Sequence, residues 1–170
     1  LDVRNDYETR IGKFRNSVLL DMRNFRDFPK ALDKITHLKN EKIVAYCTGG
    51  IRCEKASAYM KQAGFKQVFQ LKGGILAYGK EFPDTFWEGH CFVFDDRLSI
   101  RINTNDDEEY MKCQLCKLCQ GVYVNCHNIH CDKLFIACEE CLEGHNASCS
   151  GQCATSKERR KKGIAPGGVR

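Results

Sequence analysis

Along the chain, short apolar runs alternate with stretches in which apolar residues recur every three or four positions. Leu1–Val3 and Ser17–Leu20 read as strands, and Pro29 to Leu38 sets Leu32, Ile35 and Leu38 on one helical face. Ile43–Tyr46 is a third strand, after which Ala56, Tyr59, Met60 and Ala63 recur at helical spacing and Gly64 stands where a helix C-cap belongs. Gln67 to Leu71 reads as a fourth strand, and Lys72-Gly73-Gly74 opens a helix beginning near Ile75. This order predicts an α/β domain: a mostly parallel sheet with helices on both faces, its site at the carboxyl ends of the strands. Trp87 to Arg97, with Phe92 and Phe94 alternating, reads as an edge strand closing a domain over 1–102. Residues 103–112, rich in Asn, Asp and Glu, are expected to form an acidic linker.

Composition narrows the class. With 170 residues, 42% hydrophobic and 29% charged, the chain suits a soluble protein of at most two domains. No apolar stretch approaches the roughly 18 residues a membrane helix needs, and no leader is seen; a cytoplasmic protein is expected. Leu1 reads as the end of a strand, so a further segment is expected before it. The net charge of +5 resides in the last residues: from Ala154 onward six basic side chains face one acid, leaving 21 of each sign in residues 1–153. Residues 154–170 therefore read as a basic disordered tail, and neither membrane nor DNA is an expected partner.

Nine of the twelve cysteines fall between 113 and 153. They form close pairs, Cys126 with Cys131, Cys138 with Cys141 and Cys149 with Cys153, preceded by Cys113, Cys116 and Cys119, of which two make the first pair. Four pairs make two tetrahedral thiolate sites, so two structural zinc ions are expected in a module over 113–153, with pairs one and three, and two and four, crossed. Nine is an odd number, which argues against a disulfide framework. Spacing alone leaves open whether Cys113 or Cys119 is the extra, and His127, His130 and His145 are possible substitutes. No motif for an organic cofactor is found.

The remaining chemistry centres on Cys47-Thr48-Gly49-Gly50-Ile51-Arg52-Cys53, where a buried-type strand runs through a glycine turn into a helix. A helix N-terminus points N–H groups and the positive end of its dipole at one spot, and such surroundings lower a thiol from about 8.5 to roughly 3.5–7.5. Four residues separate Cys47 from Arg52, a ring sized for a single sulfur rather than a phosphate.

Leu1-Asp2-Val3-Arg4, Tyr7-Glu8, Ile11-Gly12, the Cys47 loop and Lys72-Gly73-Gly74-Ile75 together resemble rhodanese domains, over residues 1 to about 83. The longer string from Cys47 to Ser57, with Phe92 to Arg97 and the cysteine-rich tail, is similar to rhodanese-type tRNA uridine hydroxylases and their eukaryotic thiosulfate sulfurtransferase-like relatives. The resemblance implies oxygen-dependent hydroxylation of the tRNA wobble uridine with Cys47 as the active-site residue. It also selects Cys113 and Cys116 as the first tail pair and leaves Cys119 as the extra. Family members carry a further N-terminal domain, of which nothing is present here. The expected roles are Cys47 as nucleophile, able to carry a persulfide, and backbone N–H groups of Thr48, Gly49, Gly50, Ile51 and Cys53 as its donors. Arg52 holds the loop or an anionic donor, Asp2 and Arg4 form an ion pair bracing it, Cys53 resolves an oxidised Cys47 or packs as core, and Cys91 is core. The expected partners are tRNA or sulfur donor and acceptor thiols; the alternatives are a persulfide sulfurtransferase and a non-catalytic scaffold that binds RNA or protein through its zinc module.

Overall fold

The structure is a computed structural model that describes residues 1–95, 97–105 and 108–160. Two units emerge, Leu1–Phe92 with Arg101–Asp106, and Val93–Ile100 with Asp107–Arg170. Among the described residues no helix is long and apolar enough to cross a membrane.

In the first unit the chain runs through α1 (Asp6–Thr9), β1 (Gly12–Phe14), α2 (Phe28–Ala31), a 3-10 helix (Leu32–Leu38), β2 (Lys42–Ala45), α3 (Ile51–Gln62), β3 (Gln67–Gln70), α4 (Gly74–Glu81) and β4 (Trp87–Phe92). β2 and β3 pair in parallel, Ile43 opposite Val68 and Ala45 opposite Gln70. The expected strands at Leu1–Val3 and Ser17–Leu20 contract to single parallel bridges from Asp2 to Leu19 and to Tyr46. β1 and β4 pair antiparallel, Gly12 opposite Gly89, so the sheet structure is mixed rather than mostly parallel. Gly12 permits this pairing: a Cβ there would lie 2.3 Å from His90 O. Residues 29–38 do not form one α-helix. The three-residue spacing of Leu32, Ile35 and Leu38 suits three residues per turn as well as 3.6, and the segment kinks at Ile35 (φ −120°, ψ 19°) into 3-10 geometry.

Alternation along β2 buries Ile43 and Ala45 and leaves Lys42 and Val44 exposed. The buried face joins Cys53, Ala56 and Met60 of α3, Phe28, Leu32 and Ile35, and Val68 in one core; each large apolar side chain contributes about 1.5–3 kcal/mol when fully buried. α3 stops where the sequence places its cap. Gly64 takes φ +92°, its N–H donates to Lys61 O and that of Phe65 to Met60 O, a Schellman ending in which Phe65 and Met60 are both buried in the core. Asp2 and Arg4 pair with both side chains fully buried, and Arg4 lies over the Trp87 ring at 5.2 Å.

The second unit contains β5 (Ser99–Arg101, its last residue counted with the first unit), β6 (Val122–Asn125), β7 (Leu134–Ala137), α5 (Glu139–Gly144) and α6 (Gly151–Ala154). β6 and β7 form an antiparallel hairpin, Val124 opposite Phe135. Its core is small, with Val124, Phe135 and Ala137 packed among cysteines. Residues 93–100, which the pattern joins to the first domain, group with this unit: Val93 N–H donates to Leu98 O and Leu98 N–H to Asp95 O, so the strand turns at Phe92. In the expected linker, Thr104 and Asn105 N–H donate to the Asp84 carboxylate; Asp106 and Asp107 lie outside the described residues. Residues 154–160 of the expected tail are bonded within the second unit. Arg159 donates to Cys153 O at 2.7 Å and Ala154 O at 2.9 Å, satisfying carbonyls at the end of α6, and Arg160 N–H donates to His127 O. Residues 161–170 lie outside the described residues.

A second close backbone approach in the first unit sits at Gly74. A Cβ there would meet Cys47 O at 2.4 Å and Thr48 O at 2.6 Å, and its φ is +64°. Gly74→Ala is expected to lower unfolding stability by about 2–4 kcal/mol, combining left-handed strain with the clash. Gly49→Ala, where a Cβ meets nothing within 4 Å, is expected to change stability by under about 1 kcal/mol. Urea midpoints check both.

Candidate active site and cysteine clusters

Cys47 follows the end of β2, and the helix-opening turn wraps back over it. Gly50, the N-cap of α3, takes φ +93°, which turns its N–H onto Cys47 Sγ at 3.1 Å. Cys53 N–H donates to Gly50 O at 3.1 Å and closes the first turn. On the other side, Ile75 N–H donates to Cys47 O and Leu76 N–H to Thr48 O. The N-terminus of α4 therefore holds the loop by its carbonyls while the N-terminus of α3 holds it by its sulfur. Cys47 is 2% exposed at the floor of this arrangement, and Ile51 is 80% exposed at its crest.

The sulfur's surroundings set its charge. A hydrogen bond from the Cys53 thiol is the largest influence on Cys47 and lowers its pKa; burial opposes it, and the backbone N–H of Arg52, the Arg52 charge and the Gly50 N–H lower it further, to about 5. Cys53 is pushed up, by its neighbour Cys47 first and by burial second. Arg52 hydrogen-bonds Cys47 and is clamped by Glu8, Nη1 to Oε2 at 2.5 Å and Nη2 to Oε1 at 2.7 Å. Glu8 is fully buried and receives the Asn5 N–H at 3.1 Å, the two forming a capping box at the start of α1. Removing one partner of so buried a pair costs about 3–5 kcal/mol.

The expected site residues are placed as follows. Gly50 N–H donates to Cys47 Sγ at 3.1 Å. Cys53 does not supply its backbone N–H, which goes to Gly50 O; its thiol acts on Cys47 by lowering the pKa, as does the backbone N–H of Arg52. Thr48 uses its hydroxyl, donating to Phe92 O at 3.3 Å. Asp2 and Arg4 form their ion pair, but Arg4 Nη2 donates to Gly12 O at 2.7 Å and Val3 N–H to Tyr46 O. The pair braces the strand end leading into the loop rather than the loop itself. Cys91 is fully buried, and its thiol donates to Phe92 O at 3.5 Å. From the sequence, Glu8 is named only within the string that carries the resemblance, and Gly74 only within that string and as part of a helix-opening turn; neither is connected to the Cys47 loop. Asn5-x-x-Glu8 was legible as a capping box, but nothing in the sequence says that the box faces Arg52.

In the second unit the cysteine sulfurs gather into two groups, Cys113, Cys116, Cys138 and Cys141, and Cys126, Cys131, Cys149 and Cys153. Within each group all sulfurs lie within 4.8 Å of one another, with Cys116 to Cys138 at 3.8 Å and Cys131 to Cys149 at 3.7 Å. These are crossed pairs, one with three and two with four, and every cysteine is a free thiol. Each group could hold a metal ion. Cys119 stands outside both and is exposed. Among the described residues His127, His130 and His145 belong to neither group; His130 Nε2 pairs with Glu158 at 2.7 Å. Asn128 Nδ2 donates to Cys153 Sγ at 3.4 Å, the kind of outer hydrogen bond that orients a thiolate ligand.

Because thiolate is the alkylated form, the rate of Cys47 modification follows its ionisation. A pKa of about 5 means that iodoacetamide labelling at Cys47 rises through pH 5 and is flat above about pH 7, where an ordinary thiol near 8.5 is still rising. Peptide-resolved labelling across pH checks this; a rate still climbing between pH 8 and 9 overturns the activated-thiolate account.

Residues 1–81 match the family described as "Rhodanese-like domain" and residues 88–154 that described as "Rhodanase C-terminal". Similar curated proteins include the tRNA uridine(34) hydroxylase of Cytophaga hutchinsonii, 43% identical over 94% of this chain and 51% of the relative. That of Chlamydia muridarum is 42% identical over 94% of this chain and 50% of the relative. The chain thus spans about half the length of the curated relatives it matches. It belongs to the rhodanese family, with a rhodanese-like domain carrying the Cys47 loop followed by a rhodanese C-terminal domain carrying the two cysteine groups.

Proposed function

We propose that this chain is the rhodanese half of an oxygen-dependent tRNA wobble-uridine hydroxylase in which Cys47 is the reactive group. The observation that carries the reading is the buried thiolate, held near pKa 5 by Cys53, the α3 N–H groups and Arg52, in a chain 42–43% identical to proteins named for this activity. A uracil ring is electrophilic at C6. Thiolate addition there moves the C5–C6 electron pair into an enolate, making C5 the electron-rich carbon, the one hydroxylated in 5-hydroxyuridine. In this reading Arg52, locked by Glu8, keeps the sulfur anionic before addition. The partner is tRNA and the setting cytoplasmic, where free thiols persist.

A persulfide sulfurtransfer reading keeps one specific support, the ring sized for one sulfur, in which Gly50 N–H donates to Cys47 Sγ. We assign zinc to the two cysteine groups. Four thiolates at a zinc–sulfur distance of about 2.3 Å stand about 3.8 Å apart in a tetrahedron, which the sulfur separations of 3.7 and 3.8 Å match. A unit with so small an apolar core gains folding energy from such ions, on the order of 10–16 kcal/mol for a structural site.

Two outcomes test these readings. In cells whose only copy of the full chain carries Cys47→Ser, 5-hydroxyuridine in tRNA is expected to fall about 10³-fold or to background. Unchanged tRNA together with lost thiosulfate-to-thiol sulfur transfer decides for the sulfurtransferase. Metal analysis after mild purification is expected to give two zinc ions per chain. Chelation is expected to unfold the second unit and to leave the first folded, as read by hydrogen exchange; metal content near zero overturns the assignment.

A further inference from the structure

A thiolate that attacks one uracil meets it as part of a strand, so the surface beside the Cys47 loop has to accommodate nucleotides that do not react. The same helix that opens at this loop carries such a surface. Ile51, at the crest of the loop and 80% exposed, is followed at four-residue steps by Lys55 and Tyr59, both exposed. On α3 this spacing keeps the three along one stripe, while Cys53, Ala56 and Met60 face the core. From Ile51 to Tyr59 the stripe runs about 12 Å, at 1.5 Å per residue.

The stripe ends in an open cleft of about 410 Å³, within the roughly 300–1,000 Å³ of small-ligand clefts. Its lining includes three rings, Phe25, Phe28 and Tyr59, and two cations, Arg26 and Lys55. Phe28 is buried and stacks on Phe25, ring centroids 5.5 Å apart and planes at 28°, and it meets Tyr59 edge-on at 6.4 Å. Phe25 and Tyr59 are thus held by a packed ring while keeping part of their own surface in the cleft, so stacking a flat ligand on them costs little side-chain entropy. Among the described residues neither Arg26 nor Lys55 is in an ion pair, and no carboxylate lines the cleft. Residues 23–30 present Arg23, Arg26 and Lys30 to solvent against one acid, Asp27, whose carboxylate accepts the Asn24 N–H at 3.3 Å. Nor, among the described residues, does Leu, Ile, Val or Met line it, the side chains an apolar peptide anchor packs on. Aromatic faces flanked by unpaired cations fit a flat π-system joined to an anion.

We propose that this cleft is a nucleotide subsite: a base flanking the target uridine in the anticodon loop stacks on Phe25 and Tyr59, while Arg26 and Lys55 hold the adjoining phosphates. This rests on the hydroxylase reading and adds to it the track of the substrate strand, from Cys47 over Ile51 and along α3. Unpaired RNA loops are bound by these means, splayed bases on aromatic side chains and phosphates on Lys and Arg, and enzymes acting on an extruded base draw on contacts to its neighbours. Because every base has a π-face, stacking here positions the loop without reading its sequence.

The test uses the full-length protein and a fluorescent RNA hairpin carrying the anticodon loop of an unmodified tRNA, with Kd read by anisotropy and 5-hydroxyuridine formation followed in air with dithiothreitol. Tyr59→Leu and Phe25→Leu, which keep apolar bulk and remove the ring, are each expected to raise Kd and KM about fivefold or more. They leave kcat within about twofold and the iodoacetamide labelling of Cys47 unchanged, whereas Tyr59→Phe binds as wild type does. Arg26→Gln combined with Lys55→Gln is expected to lower the slope of log Kd against log salt by about 1.4, as for two phosphates of a single strand. In wild type, with 5-iodouridine placed at each loop position in turn, irradiation is expected to crosslink a nucleotide beside the target to Phe25 or Tyr59, a readout that needs no variant to fold. Wild-type Kd and KM in the Leu variants, or crosslinks only to other residues, overturn the subsite. So does a double Leu variant that binds the hairpin normally but no longer binds polyglutamate, which assigns the cleft to an acidic peptide. No 5-hydroxyuridine from wild type overturns the hydroxylase reading and the subsite with it; product formed at the wild-type KM by the Leu variants overturns the subsite alone.

Discussion

A negative charge on a buried sulfur has to be held by groups nearer than water, and the first unit is arranged around meeting that condition at Cys47. The sulfur is 2% exposed, so desolvation by itself pushes the thiol toward its neutral form. What reverses the sign is a set of donors fixed by backbone geometry: the Gly50 N–H turned inward by a left-handed N-cap, the Arg52 N–H, the Arg52 charge and the Cys53 thiol. None of these is free to relax away, because α4 is anchored to the same loop through Cys47 O and Thr48 O. The close approach of Gly74 is the steric condition for that anchoring.

The charge chain extends one step further. Arg52 beside a thiolate is one of the ordinary ways of lowering a cysteine pKa, but a free arginine is mobile. Here Glu8, fully buried and itself fixed by the Asn5 N–H, grips both terminal nitrogens of Arg52. A short helix near the start of the chain thereby sets the position of a charge on α3, and Thr48 links the loop to β4 through Phe92 O. The second unit follows a different physical rule. Its apolar core is too small to carry it alone, and two groups of four sulfurs occupy the positions that larger side chains fill elsewhere. There the hairpin and two short helices present two groups of sulfurs, each of which could hold a metal ion.

Much of this was legible in the residues, for reasons that are local. The spacing of Ile43 and Ala45 marks a strand with one buried face, Gly64 marks the end of α3, and two glycine pairs mark the turns that open α3 and α4. Each signal acts over a few residues. The same holds for the Cys47 loop, where a strand end, glycines and a helix start are contiguous. The cysteine pairs were legible too, since a Cys-x2-Cys turn brings two sulfurs together whatever surrounds it. The errors arose where two geometries share one pattern. Residues 29–38 satisfy both the α and the 3-10 period, and the apolar run after Trp87 did not show that the chain would turn at Phe92.

By itself, then, the sequence singled out Cys47 as the candidate nucleophile at the start of a helix and grouped eight cysteines into four local pairs. Only the tertiary structure decided which pairs share a group, that Glu8 clamps Arg52 across 44 residues, that Arg4 supports Gly12 rather than the loop, and that the Cys53 N–H goes to Gly50 O rather than to Cys47. The reason is the range of the forces. Turns, caps and helix starts are set by neighbours within a few positions, whereas ion pairs, thiol contacts and crossed ligand sets depend on how remote segments come together. Nothing in a local pattern states that.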